Sequence, residues 1–110
     1  MNIINLTPHA FTLCYDAGEI TRVIEPTKPA ARVSSTVHTV GEVDGIPVTE
    51  TTFGAVEGLP EPQEDTIYIV SLLVQQAVSR PDVYRPDTGP QSVVRDSAGQ
   101  ILGVKALAAG

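Results

Sequence analysis

The stretch Ala31–Gly54, "ARVSSTVHTVGEVDGIPVTETTFG", decides how this chain is read. Asp44-Gly45 stands between Val43 and Ile46. An Asp-Gly pair flanked by β-forming residues is a strong short-range signal for a two-residue hairpin turn, because both turn positions need positive φ. The segments on either side are therefore strands. Alternation along the first puts Val33, Ser35, Val37 and Thr39 on one face and Arg32, Ser34, Thr36 and His38 on the other. The second face is polar throughout. Its hydroxyls and one guanidinium suit hydrogen bonding to a sugar or phosphate, and they equally suit a solvated sheet face.

Two further turn signals lie outward from this hairpin. "YDAGEI" and "RDSAGQI" each set an Asp and a Gly between β-forming runs, so hairpins are expected near residues 10 to 24 and 92 to 106. The segments "AGEITRV" and "AGQILGV" share an Ala-Gly-x-Ile-x-x-Val pattern, which reads as two hairpins meeting one turn problem more readily than as a duplication.

One segment departs from β periodicity. In "TIYIVSLLVQQAVSRPD" the run from Thr66 to Val70 reads as a buried strand. Val70, Leu73, Val74 and Ala77 then recur at helical spacing, which predicts a helix from about Ser71 to Ser79. Ser71 is its expected cap, Gln75 and Gln76 are expected to face water, and Pro81 ends it.

Composition bounds the function. The chain has 110 residues, enough for a single domain (1–110) with one modest core, rich in aliphatic residues and without Trp. Its formal charge of -6 disfavours nucleic acid, whose binding rests on clustered Lys and Arg, and disfavours an anionic membrane surface. The lone Cys14 cannot form a disulfide within the chain and is expected to pack inside a strand. The N-terminus lacks a basic start followed by a long apolar run, and no membrane-length apolar stretch occurs, so a cytoplasmic location is expected.

Proline marks the connections. "IEPTKPAA" reads as an extended surface link and "EGLPEPQED" as a rigid acidic loop entering the central strand. The longest irregular stretch is "RPDVYRPDTGP", expected to be a functional loop or a tightly packed connection. Arg80 and Arg85 there could grip a phosphate while Tyr84 stacks on a ring, or each arginine could pair with Asp82 or Asp87. At the strand-to-helix junction Ser71 offers free backbone N–H groups to an anion, although no glycine-rich phosphate loop precedes it.

Catalytic signatures are lacking. His9 and His38 have no ligand spacing with each other or with Cys14, "TPH" reads as a turn leading into a strand, and no nucleophile elbow appears. No catalytic residue, metal ligand set or cofactor is therefore assigned, and a small hydrolase using His9 or His38 is the third choice.

The segments "NLTPHAFTL", "ARVSS", "TTFG", "GLPEPQEDTIYIVS", "RPDVYRPDTGP" and "VVRDSAGQILGV" resemble a family of small, uncharacterised proteins from phages, prophages and actinobacteria. The resemblance spans most of the chain and implies an accessory protein of a mobile element, acting in the bacterial cytoplasm. By analogy it suggests a sponge that sequesters a nucleotide signal of antiviral defence.

The expectation is therefore an α+β domain with a mostly antiparallel, bent or barrel-like sheet and one short helix. Exposed edges and a small core favour a homo-oligomer, with a cleft between subunits. The leading function is non-catalytic binding of a small phosphorylated or nucleotide-like ligand by Arg32, Ser71, Arg80, Tyr84 and Arg85. The alternative is a protein-interaction or virion-associated module that engages a host or phage protein.

Overall fold

A computed structural model describes residues 1–15 and 19–110. The chain forms β1 (Asn2–Asn5), β2 (Phe11–Cys14), β3 (Ile20–Ile24), β4 (Arg32–Val43), β5 (Ile46–Glu57) and β6 (Thr66–Ile69). These are followed by α1 (Leu72–Ala77), β7 (Val83–Pro86), β8 (Val93–Arg95), β9 (Ile101–Val104) and β10 (Leu107–Ala109). Strands dominate and one short helix accompanies them, so the α+β class stands.

The sheets are mixed, and none of those described closes into a barrel. The first runs β1-β6-β7-β10, the second β3-β2-β9-β8, and β4 and β5 form a ribbon by themselves. The "mostly antiparallel" expectation needs correction at the centre: β1, β6 and β7 are mutually parallel, and β2 pairs with β9 in parallel. For β6 and β7 the reason is the helix. A chain leaving β6 through α1 returns to the same end of the sheet, and such a crossover makes the next strand parallel.

Strand β6 occupies the middle of the molecule because both of its faces are covered. Tyr68 and Val70 pack with Leu6, Val74 and Val83 on the α1 side. Ile69 points the other way, to Phe11 and Val104 of the second sheet. Its continuous apolar run is what a strand buried on both faces requires. Tyr68, Ile69 and Val70 are fully buried, each contributing roughly 1.5–3 kcal/mol of transfer free energy.

The Asp-Gly hairpin forms as read. Val43 pairs with Ile46, and Asp44 and Gly45 take φ of 53° and 80°, the left-handed conformations that this turn demands. The "RDSAGQI" hairpin also forms, as β8 and β9. Asp96 Oδ1 accepts from the backbone N–H groups of Ala98 and Gln100, and Gly99 supplies a φ of 82°. Strands β2 and β3 pair antiparallel as expected, while Asp16, Ala17 and Gly18 of the anticipated turn lie outside the described residues.

The two Ala-Gly-x-Ile-x-x-Val segments occupy unlike places. Strand β3 is an edge, whereas β9 is interior, with Gly103 so close to Cys14 that an added Cβ would stand 2.6 Å from its sulfur. Cys14 is buried there, packed in its strand.

Helix α1 is shorter than expected, ending at Ala77. Ser71 caps it, accepting a 3.4 Å hydrogen bond from Val74 N. Its buried face is rotated from the expected one: Val74 and Gln75 are buried, while Leu72 and Leu73 are exposed. Gln75 therefore does not face water. Its side-chain amide donates to Ala108 O at 2.9 Å and ties α1 to β10, a contact that helical periodicity cannot disclose.

Candidate functional site: an exposed arm and a cleft

Strands β4 and β5 form a long, narrow arm. Only their base meets the body, where Val33 and Val56 pack on the core and α1 touches both strands. Further out both faces are open to solvent. The radius of gyration is 16.4 Å, against about 13 Å for a compact chain of this length, and the excess reflects the elongated shape. Among the described residues neither outer edge of the ribbon pairs with another strand.

The arm displays branched apolar side chains that a soluble surface usually hides. Val37, Val40, Val43 and Ile46 are 58–66% exposed, and Val48 is 39% exposed. Register puts Val43 opposite Ile46 and Gly41 opposite Val48, so three of these side chains share one face of the tip. Glu42 and Pro47 pair on the opposite face. Val40 is the extra residue of a bulge, since Thr39 and Gly41 face consecutive partners Thr49 and Val48. His38 lies midway along the arm, exposed, with Nε2 3.1 Å from Thr52 Oγ1.

The second feature is a cleft of about 820 Å³ between α1, β7 and the end of β10. Arg80, Tyr84 and Arg85 line it, while Arg32 lines a separate hollow of about 250 Å³ at the base of the arm. Ser71 lines neither, and its hydroxyl is engaged at the helix cap. Three of the five expected site residues thus converge and two do not.

Those three differ in freedom. Arg80 donates to Asp82 through Nε at 3.0 Å and Nη2 at 2.6 Å, and through Nη1 to Pro60 O at 2.9 Å. Its guanidinium also lies 5.8 Å from the ring centroid of Tyr68. Hydrogen bonding to Arg80 holds the Asp82 carboxyl below its ordinary range, against the opposing effect of burial, and the same bond raises Arg80. Arg80 therefore braces the acidic 58–65 loop against β7.

Arg85 makes no salt bridge among the described residues, and its Nη1 donates a 3.4 Å hydrogen bond to Pro86 O. Strand alternation sends Arg85 to the same side as Val83, toward α1, and Tyr84 to the other. Adjacent positions in β7 thus do not aim a guanidinium and a phenol ring at one ligand. The "RPDVYRPDTGP" stretch is a packed connection that includes strand β7, and prolines at its borders gave it the look of a loop.

The "NLTPH" segment is structural. Asn5 is buried, and its amide donates to His9 O at 2.8 Å and Ile24 O at 2.9 Å. Its Oδ1 accepts from Thr7 N at 3.0 Å and Thr7 Oγ1 at 2.7 Å. One side chain joins β1, the following turn and the end of β3. His9 itself is exposed and contributes its carbonyl rather than its ring to these contacts.

Among the described residues no group of three His, Cys, Asp or Glu side chains is placed to hold a metal ion. No helix among them is long and apolar enough to cross a membrane. Comparison with protein-family models, curated proteins and solved structures gives no match for this chain.

Proposed function

We propose that the chain is a non-catalytic protein-interaction module, of the accessory or virion-associated kind implied by its resemblance to small phage proteins, with β4–β5 as its docking arm. One observation carries the reading: a two-stranded ribbon keeps Val37, Val40, Val43, Ile46 and Val48 in water, with both faces open. An isolated ribbon of this kind is marginally stable in water, and covering one face changes that balance. A free sheet edge also offers main-chain groups to a partner.

The test is photo-crosslinking in bacteria producing the protein, with a photoreactive side chain in place of Ile46 and, as control, of the exposed Glu25. The reading expects one identified protein adduct at the arm, lost when Val43 is changed to Lys, and none at the control. Absence of any protein adduct at the arm overturns it.

A second reading is supported by Arg85, a guanidinium without a carboxylate partner in the cleft. A small phosphorylated or nucleotide-like ligand would bind there, and sequestration of a defence signal is the corresponding role. Native mass spectrometry after incubation with a deproteinised lysate of phage-infected bacteria tests this. A retained anion lost in Arg85→Ala supports the reading, and a bare protein at adequate lysate concentration overturns it.

A further inference from the structure

Resting on the arm-docking reading, we propose that the arm's occupant is a second copy of this chain, with the turn between Glu42 and Pro47 seated in the neighbour's cleft beside Arg85. Charge supports this pairing. The tip carries Glu42 and Asp44 and no cation, whereas no acidic side chain lines the cleft and two arginines do, of which Arg80 is held by Asp82 and Arg85 makes no salt bridge among the described residues. Seven Lys and Arg stand against thirteen acidic residues in the whole chain, so cationic places for an acidic tip are few, and this cleft is one of them.

Apolar surface matches as well. Val43 and Ile46 are exposed on the tip, and Leu72, Val78 and Ala109 contribute apolar surface to the cleft. Leu72 is itself 49% exposed.

Area sets the expected assembly. Eight residues of each strand beyond the base make a ribbon about 26 Å long. Burying its tip and one face covers on the order of 500 Å² of the arm, short of the ~800 Å² per partner of a standard interface. A single contact is therefore weak. Every copy both gives an arm and accepts one, either reciprocally about a twofold axis or head to tail around a larger ring. Stable assembly then comes from closure, in which each subunit makes two such contacts.

The test is sedimentation velocity on the full chain over a wide concentration range, with the photoreactive side chain at Ile46 locating the contact. Two variants reverse the charges: Glu42→Lys with Asp44→Asn at the tip, and Arg85→Glu in the cleft. Asn-Gly preserves the turn, and circular dichroism checks the fold of the Arg85 variant. Wild type is expected to give concentration-dependent closed dimers or larger rings, weakened at least about 10-fold by 0.5 M salt, with crosslinks to residues 72–85. Each variant alone is expected to be monomeric. Mixed together they are expected to reassemble with the two variants alternating, because the lysine tip meets the glutamate cleft and the unaltered acidic tip of the Arg85 variant meets the unaltered cleft of the tip variant.

If the Arg85 variant does not fold, the tip variant and the crosslink position decide the matter alone. A wild type that stays monomeric at every concentration overturns the self-docking proposal. If the arm crosslinks to another protein in the cell, docking survives with a different partner; if it crosslinks to nothing, docking fails too. Oligomers indifferent to charge reversal, or crosslinked arm to arm, also overturn the arm-to-cleft contact.

Discussion

The body and the arm distribute polar and apolar groups in opposite ways. In the body, Asn5, Gln75 and Arg80 are turned inward or half-buried, and each is matched by backbone carbonyls, amides or a carboxylate. Along the arm, valines and an isoleucine stand in water while Thr, Glu and His alternate with them. A buried polar group must be paired or it costs stability, and an exposed apolar group costs little until something covers it. The body thus has the chemistry of a finished structure, and the arm that of half an interface.

The contrast is broken most sharply at Asn5. Replacing it by Leu takes the side-chain acceptor from Thr7 N and the amide donor from Ile24 O, while His9 O keeps its bond from the Thr7 hydroxyl. A loss of about 3 kcal/mol or more is expected, read as a lower midpoint in urea unfolding with little change in slope. Unchanged stability would mean that this knot does not hold β1, β2 and β3 together.

Next in size is the Arg80–Asp82 pair, whose side chains are 22% and 16% exposed. Arg80→Ala also frees Pro60 O and removes the contact with the Tyr68 ring, so a loss of about 2 kcal/mol is expected. Asp82 adds a pH signature. Its carboxyl titrates lower in the folded chain than in the unfolded one, so the unfolded state binds the proton more readily. Its stabilising contribution is complete above the unfolded carboxylate pKa of about 4 and is lost as pH falls through the lower folded value. Asp82→Asn should lower stability at neutral pH and flatten the acid limb of the stability profile. A parallel displacement of the whole profile would show that Asp82 does not contribute to that limb.

These residues also show how far the sequence could be read. Local chemistry was legible: Asp44-Gly45, Asp96 with Gly99, and the Ser71 cap act through neighbours a few positions away. Properties set by distant chain segments were not. Gln75 is buried because the end of β10 arrives over it, and β7 becomes an interior strand because β6 and β10 flank it. Alternating Val and Thr announced two strands but could not say that nothing lies over either face. Of the expected site, Arg80, Tyr84 and Arg85 line one cleft because one segment carries them, with β7 turning Tyr84 and Arg85 to opposite sides, whereas Arg32 and Ser71 depended on tertiary placement and lie elsewhere.

A smaller effect tests whether the arm is needed for the body. Gly45 has φ of 80°, so Gly45→Ala strains the turn by about 1 kcal/mol. Because the arm meets the body only at Val33, Val56 and α1, the strain should appear as faster amide exchange from residues 38 to 51 with a nearly unchanged global midpoint. A matching fall in the global midpoint would show that arm and body unfold as one unit.

The smallest expected effect on stability is the most informative about the arm. Ile46→Thr keeps a β-branched residue beside the turn and removes exposed apolar surface, 66% of which is already in water. The stability of the separated monomer should remain within about 0.5 kcal/mol of wild type, because almost no burial is lost. Association should nevertheless weaken several-fold, since the buried area exists only in the complex. If stability falls by several times that amount at dilutions where the chain is monomeric, Ile46 already packs within its own subunit. The arm would then belong to the finished structure, and the division between the two regions would disappear.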